Sequence, residues 1–262
     1  MTFRLSRPAS GAAFSHALAA SPGAWQPARV WAMLALCLLP LLAWEASGLD
    51  LALAHAMGGS ASGFALRDNV WLSSVLHSGA RQAGLALALA LALGIAWPWG
   101  MLKGLTRADR VWLLLCVAAC ALMISLIKRH SASSCPWSLS PFGGAWPYVP
   151  HWRLGLTDGG PGNCFPAGHA STGFAFFPLV WLMQARHRQG GRWLRAVLAV
   201  LAAGLGLGLV QQWRGAHFMS HTLWTGWCCA AFSLMGWQVY EALRQRRLRQ
   251  SPALPVQASQ PS

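Results

Sequence analysis

The chain has 262 residues, of which 55% are hydrophobic and only 10% are charged, whereas an average soluble domain is about 25% charged. This composition excludes an intrinsically disordered chain, and seven cysteines are too few for a disulfide-dense secreted miniprotein. Twenty Lys and Arg against six Asp and Glu give a formal net charge of +14. Because these cations alternate with long apolar runs, their positions matter more than their number.

Six stretches with almost no charge predict membrane-spanning helices, since about 20 apolar residues cross the hydrocarbon core. In chain order they are Val30–Trp44, Ala83–Leu102, Val111–Ile127, Cys164–Ala185, Ala196–Trp213 and Phe218–Tyr240. Residues 85–93 alternate Leu and Ala, but both faces are apolar and the run is embedded in a longer uncharged stretch, which favours a helix. The predicted fold is therefore all-α: a polytopic membrane protein with a six-transmembrane-helix bundle.

The flanks of these spans predict the domain organisation. The first span follows a long flank, and no clear small-residue cleavage site comes after it, which indicates a retained helix and not a cleaved signal peptide. We predict a disordered cytoplasmic N-terminus over 1–28 and a six-helix membrane domain over 29–243. A cytoplasmic tail, first basic and then disordered, is predicted over 244–262.

The distribution of basic residues predicts which way the bundle faces. If the N-terminus is cytoplasmic, fourteen of the 20 basic residues fall in cytoplasmic segments, as the positive-inside rule requires. The six on the outer side are Arg67, Arg81, Lys128, Arg129, Arg153 and Arg214. All histidines except His16 and His187 lie on or near the outer side. The positive charge is thus mainly a topology signal, with both termini cytoplasmic, and it does not indicate a nucleic-acid partner.

Three polar clusters lie at the predicted outer face. Lys128–His130 and Cys135–Trp137 follow the third span, Cys164–Ser171 opens the fourth, and Arg214–His221 opens the sixth. Free backbone N–H groups at a helix start, together with nearby cations, favour an oxyanion. Imidazoles act as nucleophiles or general acids near neutral pH. Polar groups at the edge of a membrane bundle are functional candidates.

These clusters resemble the three signature motifs of the type 2 phosphatidic acid phosphatase family of integral membrane lipid phosphatases, K-x6-R-P, P-S-G-H and S-R-x5-H-x3-D. Pro166 to His169 match the second motif, with Ala in place of Ser, and Gly215 to His217 match the third. Lys128, with Pro136 further on, matches the first. The resemblance covers residues 128–222 and implies a six-helix core with its site at the non-cytoplasmic surface.

The resemblance also implies a mechanism. His217 would attack phosphorus to form a phosphohistidine, and His169 would protonate the leaving oxygen and later activate water. Lys128 and a guanidinium would hold the non-bridging oxygens, with Gly168 allowing close backbone approach. The family requires no metal or other cofactor. The implied partners are a lipid phosphate substrate and membrane lipids, with no obligatory protein partner.

Both motif arginines are absent. Cys135 occupies the arginine position of the first motif, and Gln211 occupies that of the third. Arg214 lies three residues before the motif histidine and can face the site on a helical path. Arg129 and Arg153 are other candidates to bind phosphate. Lys128 and Arg129 can also be interpreted as end-caps of the third span. The aliphatic parts of their side chains would then lie in the apolar layer, with the charged groups in water.

The motif aspartate is also absent, because its position holds His221. His221, four residues after His217, can meet it on one helix face and accept the Nδ1 proton as a third catalytic residue. Asp158, the acid in the outer loop 130–165, is another candidate to supply that charge. The two histidines could instead share a metal ion, but no H-E-x-x-H pattern completes such a site, so we predict none.

Cys135 and Cys164 both fall in the predicted outer loop, next to the first two motifs. In an oxidising periplasm they can form a disulfide that ties the two phosphate-binding segments together. The other five cysteines lie within predicted spans, where they act as small hydrophobic residues.

The sequence therefore predicts a lipid phosphate or diphosphate phosphatase of the inner membrane, with its site facing the periplasm. Prenyl diphosphates, phosphatidic acid, phosphatidylglycerol phosphate and lipid A phosphates are all candidate substrates. One alternative is a phosphotransferase that passes the phosphoryl group from His217 to a second lipid. Another is a catalytically weak relative that binds an anionic lipid, which the missing arginines and aspartate would favour.

Overall fold

The computed structural model describes residues 27–153, 155–186 and 191–250, and this part of the chain is mainly helical. Its α-helices are α1 (Pro27–Ser47), α2 (Leu49–Ala56), α3 (Gly79–Ala96), α4 (Arg107–Arg129), α5 (Gly168–Phe174), α6 (Phe177–Arg186), α7 (Arg192–Trp213) and α8 (Met219–Gln250). A π-helical stretch, Trp71–Ser78, leads into α3, and 3-10 turns lie at Gly100–Gly104, Pro136–Ser138 and Ser140–Phe142. Two short strands, β1 (Gly59–Ser60) and β2 (Gly63–Phe64), form an antiparallel hairpin.

The predicted domain limits remain predictions. The termini predicted to be disordered lie outside the described residues up to residue 26 and from residue 251 onward. Helix α8 continues to Gln250, past the boundary predicted at residue 243, so the basic part of the predicted tail is helical.

Within the described residues, four helical segments are long and apolar enough to cross a membrane: Ala28–Ser47, Trp71–Gly104, Arg107–Arg129 and Arg192–Trp213. They correspond to the first, second, third and fifth predicted spans. The predictions of six spans and of cytoplasmic termini remain predictions.

The fourth predicted span is not one continuous helix. Helix α5 begins at Gly168, after the cis peptide bond between Phe165 and Pro166, and a break separates it from α6. Pro178 has no N–H to donate to the carbonyl of Phe174, so the helical ladder is interrupted there. The prediction of a single helix over Cys164–Ala185 was therefore wrong.

The sixth predicted span forms part of α8, which lies at the centre of the bundle and contacts α1, α4, α5, α6 and α7. Its buried polar residues include Ser220, Thr222, Thr225 and Ser233. Because neighbouring helices surround these residues, they face protein instead of lipid. This explains why α8 is less apolar than the helices on the outside of the bundle.

Glycines hold the short helix α5 tightly against α7. A Cβ on Gly173 would clash with the backbone of Gly204, and a Cβ on Gly204 would clash with the ring of Phe174. Small residues at such contacts let two helices approach closely. The packing fixes the start of α5, which carries His169, relative to the end of α7.

One end of the bundle, here called the Arg186 end, is held by buried ion pairs. The Arg186 guanidinium lies 3.1 Å from Asp109 at the start of α4 and also pairs with Glu241 on α8. Tyr240 donates a hydrogen bond of 2.8 Å to Asp109, and Arg186 lies over the ring of Trp237. These contacts join α4, α6 and α8, the three helices that carry these residues.

At the other end of α4 an ordered loop leads toward α5. The buried Asp158 accepts hydrogen bonds from the backbone N–H and the hydroxyl of Ser134, at 2.7 and 2.8 Å, and from the N–H of Gly160 at 2.8 Å. A second small core packs Phe142 of this loop against Phe64 of the hairpin and Phe218 before α8. The loop is therefore tied both to itself and to the start of α8.

Candidate active site

Four basic side chains meet at the end of the bundle opposite the Arg186 end. Lys128 ends α4, His169 lies in the first turn of α5, His217 precedes α8, and His221 lies in the first turn of α8. We call this group the basic cluster. The structure thus brings together four of the residues predicted from the three sequence motifs.

Lys128 reaches over the start of α5. A Cβ placed on Gly168 would lie 3.4 Å from Cδ of Lys128 and 3.9 Å from its Nζ. The absence of a side chain on Gly168 therefore leaves room for the lysine, as well as for close approach of another group to the backbone. The ammonium group lies directly beside the residue that precedes His169.

His217 is 3% exposed, and its surroundings disfavour the protonated ring. Burial lowers the pKa of His217 well below its ordinary value of 6.5. The charges of Lys128, His221 and His169 lower it further, while a backbone hydrogen bond at Cys164 acts in the opposite direction. The imidazole is therefore neutral at pH 7 and has a lone pair available for attack on an electrophile.

The Nδ1 side of His217 faces protein. Its Nδ1 lies 3.5 Å from Nδ1 of His221 and 3.6 Å from Sγ of Cys164. A proton on Nδ1 of His217, accepted by His221, leaves Nε2 of His217 unprotonated. The arrangement therefore favours Nε2 as the reactive nitrogen.

Backbone hydrogen bonds fix α5 relative to α8 at this point. The N–H of Ala167 donates to the carbonyl of His221 at 3.2 Å. The hydroxyl of Thr225 approaches the carbonyls of both Ala167 and His221, at 3.2 and 2.7 Å. The second and third sequence motifs are thus connected directly, which holds His169 and His221 at a defined separation.

The His221 ring is enclosed by aromatic rings. Those of Phe165, His151, Phe218 and His217 have centroids 5.4, 5.5, 5.6 and 5.7 Å away and lie at steep angles to it. His151 also stacks on Phe165, with ring centroids 3.9 Å apart. This packing fixes the ring plane of His221.

Sequence reasoning missed three residues beside the cluster: Glu45, Asp50 and His151. Nε2 of His151 lies 3.2 Å from Oε1 of Glu45, a salt-bridge distance without hydrogen-bond geometry. The Asp50 carboxylate accepts hydrogen bonds from the N–H and hydroxyl of Ser220 and thereby caps α8. The two acids could have been noticed from the sequence, because acidic residues are rare in this chain: there are only six, and Glu45 and Asp50 both follow the first span closely.

The arginines that were candidates to bind phosphate are in different environments. Arg214 is half-buried, donates to Gln211 at 3.1 Å, and lies over the ring of Trp137, where Arg67 also lies. Burial lowers the pKa of Arg214, although the guanidinium remains charged at neutral pH. Arg129 is exposed, and Arg153 is exposed with its guanidinium over the ring of Trp152. Arg214 is therefore the least exposed of the three.

Asp158, the alternative source of charge for His217, is used elsewhere. Its carboxylate oxygens accept the hydrogen bonds from Ser134 and Gly160 described above. The groups whose charges lower the pKa of His217 are all bases. We therefore assign Asp158 to the structure of the loop.

Cys135 and Cys164 are joined in a disulfide, with their Cα atoms 5.1 Å apart. Sγ of Cys164 and one ring nitrogen each of His217 and His221 lie within 4.8 Å of one another, which is close enough to bind a metal ion. However, a disulfide sulfur is not a thiolate, so two imidazoles remain, fewer than the three protein ligands of a catalytic zinc site. This donor set therefore does not fit a zinc centre.

Comparisons with known proteins confirm the resemblance to the family. The family model described as PAP2 superfamily matches residues 109–245, a range that contains the entire basic cluster. Searches of curated proteins and of solved structures gave no match.

Proposed function

The chain belongs to the type 2 phosphatidic acid phosphatase (PAP2) superfamily, and from this we propose that it is a membrane lipid phosphate phosphatase that works through a phosphohistidine intermediate. The superfamily consists largely of phosphatases, so activity on phosphate esters follows from membership. The lipid substrate and the covalent intermediate are our proposal. The observation that carries it is the buried, neutral His217 surrounded by Lys128, His169 and His221.

In the first step, Nε2 of His217 attacks phosphorus and the bond between phosphorus and the leaving oxygen breaks. His169 gives its proton to that oxygen, so a neutral alcohol leaves. The proton on Nδ1 of His217 stays directed at His221, which shares the positive charge that develops on the ring. Burial keeps the ring unprotonated, so His217 requires no deprotonation before it attacks at neutral pH.

In the second step, His169, now neutral, removes a proton from water, and the hydroxide attacks the phosphohistidine. The bond between phosphorus and Nε2 breaks, inorganic phosphate leaves, and His169 is protonated again. The same residue thus acts first as general acid and then as general base.

Lys128 and Arg214 are the proposed phosphate-binding cations. Lys128 lies beside Gly168 in the basic cluster, and Arg214 lies three residues before His217. Phosphoryl transfer depends mainly on positioning and on neutralising charge at the non-bridging oxygens. The positive charges of the Lys128 ammonium and the Arg214 guanidinium favour binding of a phosphate dianion.

A lipid substrate is supported by the location of the cluster at one end of a bundle whose outer helices are apolar enough to cross a membrane. A phosphate headgroup at this depth can reach His217 while its hydrocarbon chains remain beside the helices. We propose that this end faces the periplasm of an inner-membrane protein, because most basic residues lie in the opposite connections.

The test is phosphate release from a lipid phosphate panel in detergent, with and without a chelator. We expect wild type to hydrolyse at least one member in both conditions. His217→Gln should abolish release, and His169→Gln should reduce it by about 10³-fold, the scale typical of losing a general acid and base. The exposed His130, just after Lys128, gives a matched control, and His130→Gln should retain activity.

Other outcomes would favour the alternatives. Tight binding of a lipid phosphate without release would favour a lipid-binding relative, as the replacement of both motif arginines suggests. Transfer that needs an added lipid acceptor would favour a phosphotransferase. An acid-labile phosphate on His217, trapped by rapid quenching, would support the intermediate in either enzyme.

A further inference from the structure

The basic cluster lacks the carboxylate that the third motif would provide. His221 occupies that position, and the charges that act most strongly on His217 come from bases. Attack on phosphorus places positive charge on the His217 ring, and the ring carries that charge until the bond between phosphorus and Nε2 breaks. A buried group that becomes positive needs a counter-charge, since burial alone disfavours it.

Glu45, at the end of α1, is the acid best placed to supply this charge. Its side chain is 8% exposed, and Oε1 lies 3.2 Å from Nε2 of His151. The same oxygen accepts a hydrogen bond of 2.8 Å from the indole of Trp224, which follows His221 by three residues on α8. Glu45 is therefore fixed to the helix that carries His221 and also to the ring that packs against it.

His151 connects this carboxylate to the cluster. Its ring stands nearly perpendicular to that of His221, at an angle of 86° with centroids 5.5 Å apart. Stacking on Phe165 holds His151 in place. Glu45, His151, His221 and His217 thus form a continuous series of contacts, with the carboxylate at one end and the proposed nucleophile at the other.

Asp50 is the other nearby acid, but its environment suits a different role. Both its oxygens are used by Ser220, and one also accepts a hydrogen bond of 2.8 Å from Trp44. Burial raises the pKa of Asp50, and the charge of Glu45 raises it further. These features indicate a helix cap rather than a counter-charge.

We propose that Glu45, acting through His151, is a positioning residue for the His217–His221 pair. Its carboxylate supplies the counter-charge that the motif aspartate would otherwise give. This inference rests on the proposed function, but it places the missing charge on a residue outside the region matched by the family model.

A double-mutant cycle tests the proposal. Glu45→Gln keeps the size of the side chain and should lower kcat about tenfold, a loss of about 1.4 kcal/mol of transition-state stabilisation, with little change in KM. His221→Asp places a carboxylate directly beside His217. In that background, Glu45→Gln should change kcat by less than about twofold, since coupled residues are not additive. Equal effects in both backgrounds would reject the proposal.

A second cycle does not depend on His221→Asp. His151→Phe retains the ring stack with Phe165 but removes the nitrogen that faces Glu45. It should lower kcat as much as Glu45→Gln does, and the double variant should be no worse than either single variant. Independent, multiplicative losses would contradict the proposed series of contacts.

Trp227→Phe is the matched structural control. It removes a different indole hydrogen bond between α8 and α1, from Trp227 to the carbonyl of Leu34 at 2.9 Å, and leaves Glu45, Trp224 and His151 in place, so kcat should stay within about twofold of wild type. Unfolding temperatures measured for every variant will identify losses of activity that come from destabilisation.

A chemical readout separates this proposal from the proposed function. Carbethoxylation of His217 by diethyl pyrocarbonate, followed by mass spectrometry, reports the nucleophilicity of its ring without any phosphate substrate. Glu45→Gln should change this rate in wild type but not in the His221→Asp background. If wild type hydrolyses no lipid phosphate but this pattern is found, the proposed function fails and the role of Glu45 stands. If neither rate responds to Glu45→Gln, the role of Glu45 is rejected.

Discussion

The two ends of the helix bundle differ in how their charged groups are paired. At the Arg186 end, the buried Asp109 and the half-buried Glu241 both contact the same guanidinium. At the other end, Lys128 and three imidazoles lie together, and the charges of its neighbours disfavour protonation of His217. Compensated charges hold helices together, whereas we propose that the basic cluster is stabilised when an anion binds. On this proposal, the difference distinguishes a structural site from a binding site.

The end that carries the basic cluster therefore needs other means of stabilisation. The Cys135–Cys164 disulfide joins the segment after α4 to the segment before α5. Asp158 closes the loop between these cysteines, and Asp50 caps α8 through Ser220. In none of these contacts does a carboxylate neutralise Lys128 or the histidines. These contacts therefore stabilise the framework without neutralising the cations that we propose bind phosphate.

The largest effect on stability is expected at the Arg186 end. Arg186→Met should lower the free energy of unfolding by roughly 3 to 5 kcal/mol, because it leaves the carboxylate of Asp109 buried without its partner. Thermal unfolding in detergent measures this loss. The more exposed Arg244 pairs with Glu241 at the same end, and Arg244→Met should cost no more than about 1 kcal/mol. Phosphate release per folded molecule should be unchanged, and a large loss would contradict a structural role.

Opening the disulfide should destabilise the end that carries the basic cluster. The bridge spans 29 residues, which corresponds to about 3 to 4 kcal/mol of chain entropy in the unfolded state. Replacing Cys135 and Cys164 together by serine should lower the unfolding temperature, and a reductant should do the same to wild type. Cys37→Ser, at an exposed free cysteine, is the control and should have no effect. An unchanged unfolding temperature in the double variant would show that the bridge does not stabilise the fold.

Lys128→Met should separate activity from stability. We expect kcat/KM to fall about 10²- to 10³-fold, the scale of losing one group that stabilises a developing anion. Stability should stay equal or rise, since a half-buried cation among imidazoles is removed. Lys103→Met, at an exposed lysine near the start of α4, should change neither quantity. A loss of stability with normal activity would instead identify Lys128 as an end-cap of α4.

The smallest effect is expected for Arg214, the arginine proposed to bind phosphate. Arg214→Gln should raise KM about tenfold, equivalent to about 1.4 kcal/mol of binding. Arg129→Gln should leave KM within about twofold, because Arg129 is exposed. The reverse ranking would show that Arg129 is the cation that replaces a motif arginine.

The sequence predicts features that depend on local pattern. Charge-free runs located the long helices, and the motifs located Lys128, His169 and His217, because each is set by residues close in the chain. The break after Phe174 was predictable in principle from Pro178. The burial of the polar residues of α8 was not predictable, since it depends on which helices surround α8. The contact of Glu45 with His151 joins residues more than one hundred positions apart, and no periodicity or spacing encodes it.

The capping of α8 by Asp50 has a consequence for how this protein can be divided. The family match begins at residue 109, yet Ser220 and Trp224 inside it donate hydrogen bonds to Asp50 and Glu45, which precede it. The matched region is therefore not an autonomous module. A chimaera that grafts residues 109–245 onto a relative would inherit hydrogen-bond donors without their acceptors, so α1 and α2 must be exchanged together with the catalytic region.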